Sequence, residues 1–344
     1  MGNEYNKEYN TEYTIILNKE EYLQIAGLVE QIAECPSKDP VGFATRAKQL
    51  SSSLPNRIIQ ILTRFSLHGN SKGYLLLSSF IPEKEEEIPD TPPDNTHHIG
   101  ETTRLAKAQA ILNECIGNMI AYEAEGDGHL FQDMSPNYKM SKMQTSLGSA
   151  VELEIHTEQA FSNLRPDFLS LACLRGDPNA TTFILPVNTI LDHISLSEKE
   201  LLLEPLWKIG VDLSFKLNGA EFIEGDLRGP IPILTSDGYL VFDQDLMRGI
   251  TEEAEQLRKR IIQIYYEHRT GHCLRPGEII WIDNRRALHG RSSFSPKFDG
   301  KDRFLVRTFI TLDLEKSAYA RGKEKDEKEE KKEKKERMVR AVYS

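Results

Sequence analysis

The chain predicts a mainly β fold flanked by α-helices, with a double-stranded β-helix (jelly roll, cupin-like) as its core. Three observations carry that expectation. About eight short apolar or alternating runs recur between Met119 and Leu312, the texture of a strand-rich core. Amphipathic helical segments precede them and lie among them, placed to cover a sheet from outside. No internal repeat or clear second domain divides the 344 residues, a length that one large β domain can fill.

Taken in order, Tyr13–Leu17 reads as a short strand, and Asn18 with Glu21 forms a capping box that opens a helix through about Ala33. A second helix covers Asn56–Ser66, and Gly73–Phe80 is apolar enough for a buried strand. Ile81–Thr96 carries four prolines and a run of charges, so it reads as a surface loop that includes neither element type. Thr103–Met119 is a helix with Leu105, Ala108, Leu112, Cys115 and Ile116 on one face. Strands are expected at Met119–Ala124, Ala150–Ile155, Phe168–Leu174 and Thr181–Val187. Further strands are expected at Ile231–Leu234, Gly238–Phe242, Glu278–Ile282 and Arg303–Leu312. Ser197–Lys208 and Thr251–Glu267 read as helices, the first inside an insertion around 188–230 that covers a site as a lid. The domain is expected to end near residue 320. In the tail, 321–344, the stretch Lys323–Arg337 holds eight basic and seven acidic residues, a solvated run rather than a binding element.

Composition narrows the function. A net charge of −10 argues against nucleic acid and against an anionic membrane surface, and suits a cationic small ligand. Cys35, Cys115, Cys173 and Cys273 form no CxxC pair, which points to a reduced, cytoplasmic setting rather than a zinc ribbon or disulfide framework. The polar Met1–Glu12 predicts no signal peptide, and no apolar run is long enough to span a membrane. Oligomeric state leaves no mark in the sequence.

Chemistry gathers at Glu152–Phe161. Val151, Leu153 and Ile155 alternate with Glu152, Glu154 and His156, the period of a half-buried strand. In an extended chain His156 and Glu158 point the same way and form two corners of a metal site. A distant His completes it, and His289, after the strand Glu278–Asp283, has the best surroundings. Two His and one carboxylate on one face of an octahedron is the arrangement of non-haem Fe(II) oxygenases. Downstream, Arg303, Leu305, Arg307 and Phe309 share one face of an otherwise apolar strand. Buried guanidiniums are costly without an anion, so the pair predicts two carboxylates in the barrel. Those carboxylates belong to ligands or to Glu and Asp side chains of the chain itself.

The ordered set His156-Thr-Glu158-x-Ala-Phe161, Arg165-Pro-Asp-Phe168, Leu174-Arg-x-Asp177, His289-Gly, Arg303 and Arg307 resembles the clavaminate synthase-like Fe(II)/2-oxoglutarate-dependent dioxygenases. It is most like their free amino-acid hydroxylases, which act on lysine, arginine or asparagine. The likeness covers about Ala121–Leu312. It implies His156, Glu158 and His289 as iron ligands, with Fe(II), 2-oxoglutarate and O2 as the cofactors. It implies Arg303 for the far carboxylate of 2-oxoglutarate and Arg307 for the α-carboxylate of the substrate. Glu125 and Ser146, together with Glu158, fall where the family contacts the amino-acid head group. Phe242–Leu246 matches the segment that meets the side-chain end.

In that segment Asp243 and Asp245, two apart, would face one way on a strand. Neighbouring carboxylates repel unless a cation lies between them. A lysine ammonium or an arginine guanidinium would be that cation. The resemblance, strongest to the bacterial lysine hydroxylases of the group, makes L-lysine the first expectation, hydroxylated at C4 or C3 with C4 favoured by the resemblance. L-arginine or L-asparagine is the alternative within the family. A zinc hydrolase using the same three residues would leave Arg303 and Arg307 without a role, and a non-catalytic metal-binding jelly roll is the third reading. His97, His98, His268 and His272 read as surface or helix-end residues, and Trp281 as core.

Overall fold

The computed structural model describes residues 12–78, 80, 87–212, 227–321 and 337–340. The N-terminal part runs β1 (Thr14–Ile15), α1 (Lys19–Val29), α2 (Pro40–Ser51), α3 (Asn56–His68), β2 (Tyr74–Leu77) and α4 (Arg104–Ile116). There follow β3 (Asn118–Tyr122), β4 (Gln132–Met134), β5 (Leu153–His156), β6 (Phe168–Arg175) and β7 (Thr181–Pro186). Next come α5 (Val187–Asp192), α6 (Leu196–Leu202), β8 (Trp207–Gly210), β9 (Leu227–Ile231) and β10 (Met247–Gly249). The chain closes with α7 (Glu252–His268), β11 (Thr270–Cys273), β12 (Ile279–Asp283), β13 (Ala287–Arg291), β14 (Phe304–Thr311) and β15 (Met338–Val339).

The result is a mixed fold of β with α rather than the mainly β one expected, because among the described residues the seven helices hold as much of the chain as the strands. A large sheet has the order β1-β2-β12-β6-β14-β3-β15, with β4 also on β14; a smaller sheet runs β11-β7-β13-β5; a third is β10-β8-β9. Both faces of the large sheet are buried, and alternation sorts its side chains. Phe168, Ala172, Trp281, Phe304, Val306 and Ile310 pack with α1–α4 on the outside. Leu169, Leu171, Cys173, Ile282, Leu305 and Phe309 turn inward, into one cluster with Ile155, Ile184 and Leu288 of the smaller sheet. The expectation that the N-terminal helices buttress one sheet therefore holds. Each fully buried Phe, Leu or Ile contributes roughly 1.5–3 kcal/mol, so these two layers dominate the stability.

Buried polar groups fix how α4 sits on the sheet. Asn113 donates to Thr308 Oγ1 (2.7 Å) and accepts from Trp281 Nε1 (2.7 Å), while Gln109 donates to Ser170 Oγ (2.9 Å). A shift of α4 along the strands would break all three, each in a dry interior where an unpaired polar group is costly.

The capping box at α1 forms as expected: Glu21 N donates to Asn18 Oδ1 (2.9 Å) and Asn18 N to Glu21 Oε2 (3.0 Å). Helix α2 was not anticipated; Asp39 caps it through Gly42 N (2.7 Å) and Pro40 opens it. The helix expected at Ser197–Lys208 ends at Leu202, because Pro205 lies ahead and Trp207–Lys208 already belong to β8. Ile231–Leu234 and Gly238–Phe242 are not regular strands. Pro232 and the turn at Thr235–Gly238 leave only a bridge, Leu234 to Leu240.

Residues 81–86 of the expected surface loop, 213–226 of the expected lid and 322–336 of the charged tail lie outside the described residues. Past that tail, Met338 and Val339 pair in parallel with Ala121 and Tyr122, adding an edge strand to the large sheet. Among the described residues no helix is long and apolar enough to cross a membrane.

Candidate metal centre and its two cavities

Strand register assembles the centre. β13 lies between β7 and β5, and its antiparallel pairing with β5 sets His289 opposite His156. On the far side of β5, His156 forms a bridge with Asp243, and Thr157 N donates to Phe242 O (2.8 Å). Glu158 lies two residues past the end of β5, so its direction comes from a turn rather than from the extended strand expected. Asn284 holds that turn: its Oδ1 accepts from Glu158 N (2.7 Å), and its Nδ2 donates to Glu158 O (3.2 Å) and Pro166 O (2.8 Å).

One ligand atom from each of His156, Glu158 and His289 lies within 4.8 Å of the other two. Glu158 Oε1 is 3.3 Å from His289 Nε2 and 4.0 Å from His156 Nε2. His156 Nδ1 lies 2.8 Å from the Glu154 carbonyl, which selects the tautomer that leaves Nε2 unprotonated. His289 lacks such support, since its Nδ1 is buried without a hydrogen-bond partner among the described residues. Burial, and then the neighbouring His156, hold the His289 imidazole below its ordinary range, so it stays neutral with a lone pair to give. Burial pushes the Glu158 carboxyl up, but the Arg307 guanidinium, then His289 and His156, outweigh it and hold Glu158 at about 2. Two imidazole nitrogens and one ionised carboxylate, converging from three chain segments, are a donor set fitted to a divalent transition metal.

A cavity of about 380 Å³ opens from this centre and is lined by Glu125, Ser146, Asp212, Asp243, Asp245 and Arg307, among others. Arg307 on β14 stands beside Gln132 of β4, whose Oε1 accepts from its Nε (2.9 Å). Its other nitrogens meet Glu125, in an ion pair, and Glu158 Oε1 (3.7 Å). Gln159, in a left-handed conformation (φ 51°), also donates to Glu125 (2.9 Å). For Arg307, then, the chain itself provides carboxylates, the second of the two possibilities raised by its buried position. Burial pushes the Glu125 carboxyl up, against the pull of Arg307.

Asp243 and Asp245 do not alternate on a strand; they sit in a turn that enters β10. Asp243 Oδ1 accepts from Leu246 N (2.7 Å), which fixes the turn, and Asp245 lies exposed at the rim. Both still line the larger cavity. Burial raises Asp243 to about 6, with Asp212 and Asp245 adding to the rise and His156 opposing it. Burial, then Asp245, likewise raises Glu154 on the same wall.

On the other side of His289 a cavity of about 50 Å³ is lined by Arg291, Arg303, Thr182 and the inward leucines 169, 171 and 305. Arg303 is 8 % exposed and no carboxylate pairs with it among the described residues; burial presses its guanidinium below the ordinary range. Burial, then the charge of Arg303, presses Arg291 down to about 9, still cationic at neutral pH. Arg291, Thr182, Asn284 and Gln132 escaped the sequence reading. Arg291 was within its reach, two residues after His289 on one strand face; Asn284 and Gln132 carry no local signal.

Of the remaining histidines, His97 and His268 are exposed, His98 stacks on His129 (3.6 Å between ring centres), and His272 meets Glu278 Oε2 (2.7 Å). Trp281 is core.

A triad fitted to hold a metal, set between an acidic cavity and a cationic one inside a helix-flanked β fold, is consistent with an oxygenase, and comparison with known proteins agrees. Residues 233–309 match the taurine catabolism dioxygenase TauD, TfdA family. The chain is 50 % identical over 282 residues to the L-lysine 3-hydroxylase of Catenulispora acidiphila, covering 81 % of this chain and 78 % of that one. It is 28 % identical over 295 residues to clavaminate synthase 2 of Streptomyces clavuligerus, covering 84 % and 90 %. The solved structure of asparagine oxygenase with Fe(II), 2S,3S-3-hydroxyasparagine and succinate superimposes with a TM-score of 0.84 at 25 % identity, covering 96 % of this chain and all of that one. The chain belongs to the TauD/TfdA family, in its clavaminate synthase-like branch of Fe(II)/2-oxoglutarate-dependent oxygenases. It is an iron enzyme that uses 2-oxoglutarate and O2.

Proposed function

We propose that the enzyme hydroxylates C3 of free L-lysine, giving 3-hydroxylysine, succinate and CO2, from one double-stranded β-helix domain built of the two larger sheets. The observation that carries the substrate class is the shape of charge in the larger cavity. Arg307 and Glu125, paired side by side, offer a cation and an anion, the complement of a zwitterionic amino-acid head. Asp243 and Asp245 offer carboxylates for a cationic side-chain end. The 50 % identical lysine 3-hydroxylase supports lysine, and C3 over the C4 favoured by resemblance alone.

Bound iron, with 2-oxoglutarate and O2, supplies the oxidation: the keto acid loses CO2 to become succinate, and one oxygen atom enters a C–H bond. The chain's own residues provide position. His156, Glu158 and His289 would hold the iron, and Arg303 the far carboxylate of 2-oxoglutarate. Arg307 holds the substrate carboxylate, while Glu125, Glu158 and Ser146 receive its α-ammonium. Asp243, with Asp245 at the rim, takes the terminal ammonium. Fixing both ends of a flexible chain determines which carbon faces the metal, which is where orientation lowers the barrier.

The test is a panel of free amino acids incubated with Fe(II), 2-oxoglutarate and O2, read by mass spectrometry, with the product carbon located by NMR. Lysine should gain one oxygen at C3. Oxygen gained only by arginine would favour a guanidinium held by Asp243 and Asp245, and C4 as the oxidised carbon would contradict the positional reading.

A further inference from the structure

We propose that Arg291 is a second guanidinium of the keto-acid pocket, a specificity-determining residue that makes the enzyme prefer a dianionic keto acid over a monoanionic one. The inference rests on the oxygenase reading above. Arg291 ends β13, two residues after His289 and on the same face, so its side chain enters the small cavity beside Arg303. It is 5 % exposed. Its Nε donates to the Ser292 carbonyl (3.2 Å) and its Nη1 to the Ser146 carbonyl (3.0 Å), whereas Nη2 is buried with no acceptor among the described residues.

The guanidinium carbons of Arg291 and Arg303 lie 5.1 and 5.9 Å from the ring centre of Phe294, so one aromatic face braces both. Neither cation forms a close ion pair with a carboxylate among the described residues, although the Asp177 charge acts on Arg303 from further away. Removing a guanidinium from water without an anion is costly, and here two are removed into one small, leucine-walled space. A five-carbon keto diacid brings one carboxylate to the metal and carries a second to this end. That second carboxylate is the missing partner, and the free Nη2 is a donor left over for it. Ser146 borders both cavities, so the same side chain that meets the keto acid also holds a carbonyl on the wall of the amino-acid cavity.

The experiment compares equilibrium binding of 2-oxoglutarate and of 2-oxopentanoate, which lacks the far carboxylate, to the full chain loaded with redox-inert Zn(II). In R291Q the Kd for 2-oxoglutarate should rise about tenfold or more, the usual loss for a hydrogen bond to a charged group, while that for 2-oxopentanoate stays within about twofold. Equal losses for both keto acids, or no loss for either, would overturn the assignment. If R291Q fails to fold, R291K gives the same ratio with the charge retained. It should fall by about threefold or more, because lysine has no planar fork, and an unchanged ratio would overturn the proposal. Wild-type protein that binds neither keto acid would sink the oxygenase reading itself, a result separable from either variant outcome.

Discussion

His156 and His289 face one another across the β5–β13 pair, Cα partners in register, with ring centres 4.4 Å apart. A slip of one residue in that pairing would turn every side chain of one strand to the opposite face, so the candidate metal centre is a consequence of sheet register. Glu158 joins them from outside the strands, held by Asn284.

That dependence makes Asn284 a positioning residue with a measurable effect. Asn284→Ala should weaken Co(II) or Fe(II) binding by about 10–100-fold, the usual consequence of losing a group that orients a ligand. Competition with a chromophoric chelator reads it directly. Unchanged metal affinity would show that the Glu158 turn holds itself.

Asp243→Asn keeps the shape of the turn and removes one charge. The kcat/KM for lysine should fall at least about 30-fold, since an unpaired charge in a buried pair costs about 2 kcal/mol or more. The affinity for 2-oxoglutarate should stay unchanged. Equal turnover in variant and wild type would mean that the ammonium lies elsewhere.

Arg303→Ala separates the two cavities. It should raise the KM for 2-oxoglutarate by about 10–100-fold while leaving that for the amino acid within about threefold. Parallel rises in both constants would contradict a dedicated keto-acid role.

Cys173 gives a pH test away from the three candidate metal ligands. It is fully buried, and burial pushes its thiol up to about 12, although Arg303 pulls the other way. The folded pKa is raised, so the contribution is complete below the unfolded value and is lost as pH rises, because the unfolded chain ionises first. Above pH ~9 the unfolding free energy should fall by up to about 1.4 kcal/mol per pH unit more than in Cys173→Ala. Denaturant titrations of both proteins give the difference, and parallel pH profiles would refute it.

Much of this is legible in the amino-acid sequence. Period-two alternation told apart the two faces of β14, so Arg303 and Arg307 were assigned together with Leu305 and Phe309, and they do face inward together. What alternation could not convey was pairing. Nothing local announces that Gln132 will stand opposite Arg307, or that Glu125 will reach its guanidinium, because both are set by which strands become neighbours. Short elements were lost for a related reason: β4 and β10 have three residues each, too few for a period to register. Asp243 and Asp245 were placed on a strand because the run before them is apolar. The turn is imposed by Leu246 N reaching back to Asp243, a bond that sequence spacing alone does not distinguish from alternation.

The most direct test of the whole account is an anaerobic crystal structure with Fe(II), 2-oxoglutarate and L-lysine. One iron held by His156 Nε2, His289 Nε2 and a Glu158 oxygen, with Arg303 on the far carboxylate and the lysine ammonium at Asp243, is the predicted result. Iron bound by other residues, or His289 turned away from His156 and Glu158, would contradict it.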